Sequence, residues 1–247
     1  MATIGVFDSG SGGLSVLREI RKILPRERYI YYSDNANCPY GEKSPGFIIE
    51  RGRAITDELL ARGADTIVVA CNTATAAAIA ALRSEYSIPF VGMEPAVKPA
   101  ALGTATGVIG VLATAGTLKG SKYLKTRGLY AGSVRVVEHV GQGFVELVES
   151  LELEGPHAEE VVRASLQPLL DEGADIIVLG CTHYPFLLPV MRKIAPPGIR
   201  FIDPAPAVAR RLDDVLATLG ALPGGGPSVE LIASGPSDTL EKLFTTL

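Results

Sequence analysis

Two of the three cysteines stand in matching surroundings. The run Ala64-Asp65-Thr66-Ile67-Val68-Val69-Ala70-Cys71-Asn72-Thr73 returns 110 residues later as Ala174-Asp175-Ile176-Ile177-Val178-Leu179-Gly180-Cys181-Thr182-His183. Each cysteine closes a short continuous apolar run, the pattern of a strand buried on both faces, and is followed by polar residues and then helix-forming sequence. Both thiols therefore belong at the carboxyl ends of strands. A thiol at the start of a following helix feels the positive end of the helix dipole, which favours the thiolate. One thiolate and one thiol on opposite faces of a tetrahedral carbon form a base and an acid, so a proton leaves one face while another arrives on the other. The outcome is inversion. A single nucleophilic cysteine would need no duplicate, whereas a symmetric pair fits a substrate and product that are mirror images.

Each of these residues also has a structural reading. Taken alone, Cys71 or Cys181 reads equally as a buried strand-end filler, and it is their equivalent placement in a repeat that points to chemistry. Cys38 has no counterpart and reads as structural. Asp8 either caps the helix that follows it or orients a neighbouring thiol. His183 is either an exposed histidine or, with an ordinary pKa of about 6.5, a partner that tunes a thiolate.

The elements that must position these groups form a duplicated α/β unit. The repeat extends upstream at the same offset through Gly63 and Gly173, Leu59-Leu60 and Leu169-Leu170, and Arg53-Ala54 and Arg163-Ala164. In the first unit a strand at 4–7 leads into the glycine-rich turn Asp8-Ser9-Gly10-Ser11-Gly12-Gly13. Leu14, Leu17, Ile20 and Leu24 then mark a helix ended by Pro25. Backbone N–H groups at that helix start favour an anion. The dinucleotide fingerprint fails, because the third glycine it requires is Ser15. A strand at 29–33, a polar loop at 34–41, a helix from Pro45 capped by Ser44, the first cysteine strand, an alanine-rich helix at 74–83 and a strand at 89–92 complete the unit. The second unit runs through strands at 108–112, 135–138, the second cysteine strand and 199–202, with helices at 143–150, 158–170 and 186–194. A tail follows with a helix at 207–219, a proline- and glycine-rich turn at 222–227, a strand at 229–233 and a helix at 238–244.

That tail packs most naturally back on the first unit. The expected architecture is α/β, with two pseudo-symmetric parallel-sheet domains, the first discontinuous (1–95 plus 208–247) and the second at 96–207. Ligands bind outside the carboxyl ends of strands in open parallel sheets, so the active site belongs in the cleft between the domains, with a cysteine on each wall.

The 247 residues include 23 Lys and Arg against 27 Asp and Glu, a net charge of −4, with no basic run. Nucleic acid is thereby an unexpected ligand. Apolar runs fall far short of the roughly 20 residues of a membrane span, and the opening strand lacks the pattern of an export signal, so a cytoplasmic protein is expected. Three widely spaced cysteines give neither a disulfide framework nor a zinc motif.

Four stretches carry a family likeness. They are Gly5-Val6-Phe7-Asp8-Ser9-Gly10 with Gly12-Gly13-Leu14, Cys38-Pro39-Tyr40-Gly41 with Lys43-Ser44, Val69-Ala70-Cys71-Asn72-Thr73-Ala74-Thr75, and Leu179-Gly180-Cys181-Thr182-His183-Tyr184-Pro185. With them the chain resembles the cofactor-independent aspartate/glutamate racemase superfamily over essentially its whole length. The resemblance implies interconversion of L- and D-glutamate without pyridoxal phosphate or metal, supply of D-glutamate for peptidoglycan, and a homodimer. It implies Cys71 and Cys181 as the acid/base pair, with Asp8, His183 and Glu149 beside them. It also implies a substrate lining of Asp8, Ser9, Pro39, Tyr40, Gly41, Asn72, Thr73, Thr114, Thr117, Thr182 and His183. Ser11 departs from the valine expected of the family. Two other readings stand beside this one: a racemase for aspartate or another acid, and a two-domain binding protein for acidic ligands with inert cysteines.

Overall fold

A strand whose every side chain is buried requires cover on both sheet faces, and Thr3–Asp8 meets that description throughout. The computed structural model describes residues 1–130, 132–220 and 226–247. The chain begins with β1 (Thr3–Asp8), α1 (Leu14–Ile23), β2 (Arg28–Ser33), α2 (Pro45–Ala61), β3 (Thr66–Val69), α3 (Asn72–Glu85), β4 (Phe90–Gly92) and α4 (Val97–Gly103). It continues with β5 (Val108–Ala113), α5 (Ala115–Leu118), α6 (Ser121–Tyr130), β6 (Arg135–Val140), α7 (Phe144–Glu149), α8 (Pro156–Asp171), β7 (Ile176–Gly180), α9 (Leu188–Ile194) and β8 (Arg200–Ile202). The tail supplies α10 (Ala205–Leu219), β9 (Ser228–Ala233) and α11 (Asp238–Thr245).

Two separate sheets form, with orders β4-β3-β1-β2-β9 and β6-β5-β7-β8. Every pairing is parallel. Read from the far edge, the second sheet runs β8-β7-β5-β6, the same order as β4-β3-β1-β2 in the first. The duplication seen in the cysteine strands is thus a duplication of topology. The tail strand β9 joins the first sheet beside β2, and α10 packs along α1.

Alternation along the strands divides the core. Ile4 and Val6 point to one face of the first sheet and share an apolar cluster with Leu112 and Leu179 of the second, as the two-residue period of a strand demands. Phe7, Ile67 and Val69 face a cluster of their own with Leu59 and Ile55 of α2. Ile109, Val111, Ile176 and Val178 do the same with Val97 and Ala100, so α4 packs on the second sheet.

Three helices, α4, α5 and α6, go beyond the sequence reading, α5 being a single turn of four residues. In α6 only Tyr123 is buried among mostly polar neighbours, and α4 is seven residues long with two buried positions, so neither shows a helical apolar stripe. The helix expected at 186–194 is in part a 3-10 turn, Tyr184–Leu187, before α9 begins at Leu188. Pro185 and Pro189 lack the N–H groups that a single α-helix through this stretch would use. Ser44 caps α2 as expected, its hydroxyl accepting the Phe47 N–H at 3.3 Å with Pro45 in the first turn. Of the turn expected at 222–227, residues 222–225 lie outside the described residues.

Candidate active site

In an open parallel sheet the chain reverses its winding where two neighbouring strands send their connections to opposite sides, and a crevice opens there at the carboxyl ends. In the first sheet that point lies between β1 and β3, and in the second between β5 and β7. Asp8 ends β1 and Cys71 follows β3; Thr114 follows β5 and Cys181 follows β7. Equivalent crevices therefore present a cysteine each. The two sulfurs share one field, since the charge of Cys181 is among the influences raising the pKa of Cys71. The cleft is closed over both, with Cys71 5% and Cys181 7% exposed.

The helix-dipole expectation holds in geometry and fails in magnitude at Cys71. Its sulfur caps α3, accepting the Ala74 N–H at 3.4 Å, and lies 3.8 Å from Ser9 Oγ. Burial and then the Asp8 charge nevertheless push the thiol well above its usual range. A helix terminus contributes about 0.3–2 kcal/mol, whereas desolvation can move a buried group by about 3–5 pKa units, so burial wins. Cys181 has no α-helix directly behind it, only the 3-10 turn at Tyr184–Leu187. What it has instead is His183, with Nδ1 3.7 Å from its sulfur.

His183 is 1% exposed, which removes the exposed-histidine reading. Its Nε2 lies 2.8 Å from Glu149 Oε1 at the end of α7. Burial alone would lower the imidazole pKa, but hydrogen bonding to Cys181, Cys38 and Glu149 outweighs it and holds His183 well above the ordinary value. Glu149 is pushed up by burial and pulled down further by His183 and Ser11, so its carboxyl sits below the usual value. Carboxylate, imidazole and thiol thus stand in line. Ser11 donates to Glu149 with both its N–H (2.6 Å) and its hydroxyl (3.1 Å). The anion favoured at the start of α1 is therefore a carboxylate of the protein itself, delivered from the other half.

Space, more than phosphate cradling, accounts for the glycines of this turn. A Cβ on Gly10 would lie 2.3 Å from Glu149 Oε1, one on Gly12 2.3 Å from the His183 ring, and one on Gly13 2.6 Å from Asp8 Cβ. Because the His183 ring is buried and held at both nitrogens, it cannot retreat. Gly12→Ala is expected to lower kcat about 100-fold, in line with a misplacement of about 1 Å, while circular dichroism shows the fold retained. Unchanged turnover would refute the argument that the glycine makes room for the ring.

Asp8 does not cap α1, whose first turn has no side-chain cap. Its carboxylate accepts Gly10 N–H and Thr182 Oγ1, both at 3.1 Å. Burial raises its pKa, and the facing His183 pulls against that rise. The Thr182 contact joins the two halves, as does the Ser15 hydroxyl donating to Thr182 O at 2.8 Å. Thr73 Oγ1 of α3 lies 2.8 Å from Thr114 Oγ1 and 3.3 Å from Thr117 Oγ1. Asn72 is buried, and neither end of its carboxamide has a partner among the described residues. Such a group is costly to leave unpaired.

This paired architecture has known relatives. The model of the Asp/Glu/hydantoin racemase family matches residues 4–212. The chain belongs to that family. It is 52% identical over 216 residues to a glutamate racemase of Ectopseudomonas mendocina (strain ymp), covering 87% of this chain and 82% of the relative. The structure is similar to that of Escherichia coli glutamate racemase in complex with L-glutamate, with a TM-score of 0.88 and 37% identity over 99% of this chain and 94% of the other. It is also similar to glutamate racemase from Francisella tularensis subsp. tularensis SCHU S4 in complex with D-glutamate, with a TM-score of 0.84 and 27% identity over 100% and 94% of the two chains.

Within this racemase-family fold, the structure gathers Asp8, Ser9, Cys71, Asn72, Thr73, Thr182 and His183 beyond the facing strand ends, and Glu149 reaches them from the end of α7. Thr114 and Thr117 join through Thr73. Pro39, Gly41, Thr114 and Tyr184 line a cavity of ≈ 130 Å³, and a Cβ on Gly41 would touch Thr114 at 3.0 Å. Tyr40 points elsewhere: its hydroxyl donates to buried Asp34 at 2.5 Å, and Asp34 also receives Arg51 at 2.8 and 2.9 Å. That network anchors the loop that carries Pro39 and Gly41. Sequence reasoning passed over Ser11, Ser15 and the proximity of Cys38 to His183. A hydroxyl in a glycine turn carries no signal beyond turn chemistry, so nothing local could have found them.

Proposed function

We propose that this chain interconverts L- and D-glutamate by two-base proton transfer, with Cys71 and Cys181 flanking the substrate Cα. The observation that carries this reading is the pair of buried thiols at equivalent strand ends of two like sheets, close enough for one charge to act on the other. In one direction the Cys71 thiolate removes the Cα proton and the Cys181 thiol delivers its own to the opposite face; the reverse reaction exchanges the roles. A thiolate made more basic by burial is better matched to a weakly acidic C–H bond. One sulfur accepts a proton as the other gives one up, so the step calls for no cofactor and no metal.

Asn72, Thr73, Thr114, Thr117 and Thr182, with backbone N–H groups from Ser9 and Gly41, hold the two carboxylates, and Asp8 faces the ammonium group. Donors fixed before the reaction stabilise the carbanionic transition state without reorganising. Relatives of the same fold in complex with L-glutamate and with D-glutamate support this choice of substrate. The product serves peptidoglycan synthesis. The protein acts as a cytoplasmic homodimer whose protomers divide into 1–95 plus 208–247 and 96–207; among the described residues no helix is long and apolar enough to cross a membrane.

Incubation of each pure enantiomer in deuterated water tests the reading. Deuterium is expected at Cα of the opposite enantiomer from either starting point. Binding of glutamate with no exchange from either enantiomer would instead establish a binding protein.

A further inference from the structure

Cys38 is the cysteine that proton transfer leaves unused. It comes from the loop after β2, yet its sulfur, a ring nitrogen of His183 and a carboxylate oxygen of Glu149 all lie within 4.8 Å of one another. Gly10 leaves room for this meeting, since a Cβ there would lie 3.1 Å from Cys38 Sγ and 2.3 Å from Glu149 Oε1. No spacing motif announces the set, because its members stand at positions 38, 149 and 183 on three separate elements.

Thiolate, imidazole and carboxylate are together a zinc donor set, softer than the all-oxygen shells of Mg²⁺ or Ca²⁺. Bond lengths of about 2.0–2.3 Å in a tetrahedral zinc site place its donors roughly 3.3–3.8 Å apart. Closing the widest pair by about 1 Å, with the His183–Glu149 pair opening slightly, meets that geometry. A cavity of ≈ 310 Å³ lined by Asn35, Cys38, Glu149 and Thr239 adjoins the cluster. It offers a path for a metal and room for a water as fourth ligand.

We propose that Cys38, His183 and Glu149 form an inhibitory site for Zn²⁺ or a similar thiophilic divalent cation. Binding replaces the thiol proton of Cys38 and the ring proton that His183 directs at Glu149, and both protons go to solvent. The metal ties Cys38 of the first half to His183 and Glu149 of the second, which holds the cleft shut over the two catalytic sulfurs. It also takes His183 from its partnership with Cys181. The inhibition rests on the racemase reading; the binding does not.

Metal-stripped protein is titrated with Co²⁺ as a spectroscopic probe. One equivalent is expected to produce a near-ultraviolet thiolate-to-cobalt band that Zn²⁺ displaces and Cys38→Ser abolishes. In parallel, Zn²⁺ suppresses turnover of the wild-type chain and a chelator restores it. Measured against its own metal-free turnover, Cys38→Ser needs at least about 10-fold more Zn²⁺ for half inhibition, the scale of losing one coordinating or supporting group. Cys38→Ala, which lacks any donor, reads out the same way should the serine variant fold poorly. Absence of the cobalt–thiolate band would overturn the proposal. So would a band and an inhibition that persist in both variants, which would place the metal on Cys71 and Cys181. Because the spectrum needs no turnover, the cobalt titration still tests the site in a chain found inactive as a racemase.

Discussion

Cys71→Ala and Cys181→Ala each lower racemisation by about 10³-fold or more in both directions, within the range for loss of a positioned acid or base. The diagnostic result is what each variant retains. With one sulfur left, a variant can still remove and return a proton on the face that sulfur approaches. Cys71→Ala is therefore expected to exchange the α-proton of one enantiomer with deuterated solvent, and Cys181→Ala that of the other, with no inversion in either case. Nuclear magnetic resonance of each enantiomer under each variant checks this. Both sulfurs are buried, so some stability is lost as well, at roughly 1 kcal/mol, but a general loss of stability cannot select an enantiomer. Exchange of the same enantiomer by both variants, or inversion surviving in either, would remove the two-base mechanism.

The duplication was legible in the sequence because it rests on strand chemistry. Buried parallel strands are written as unbroken apolar runs, and the runs ending at Cys71 and Cys181 differ from each other only by conservative changes. The tail strand could be placed on the first sheet because it follows a completed second unit, and β9 pairs there with β2. The helices α4, α5 and α6 were not legible, because stability in such short elements comes from tertiary contact more than from a stripe of their own. At the site, the sequence placed the groups that sit on the repeat. It was silent on those that act across it: Ser11 holding Glu149, Glu149 meeting His183, and Cys38 beside both are pairings made only when the halves close. The expectation of a depressed thiol pKa at Cys71 failed for a related reason. The helix start is visible in sequence, but the depth of burial that overrides it is not.

Glu149→Gln separates electrostatics from shape at this junction. The amide is the same size and can still meet Ser11 and His183, but it carries no charge. Without the carboxylate His183 loses a main support of its raised pKa, so the imidazolium that would stabilise a thiolate at Cys181 becomes scarcer at neutral pH. Turnover is expected to fall about 100-fold, the scale for loss of a charged orienting partner. Stability follows with a defined pH window. Glu149 titrates below its ordinary value in the folded chain, so its contribution is present above the unfolded pKa of about 4.3 and is lost as pH falls through the folded value. His183 titrates above its ordinary value, so its contribution is complete below about pH 6.5 and is lost as pH rises through the folded value. Both are complete only between about pH 4.3 and 6.5. Wild type should exceed Glu149→Gln by about 2 kcal/mol there, the worth of a hydrogen bond to a charged group, or roughly 4–8 °C in Tm for a chain of this size. The gap should narrow on either side. Thermal melts across pH 4–9 decide the matter: a gap that stays constant with pH would mean that Glu149 and His183 meet as neutral groups, and that the field on Cys181 has another source.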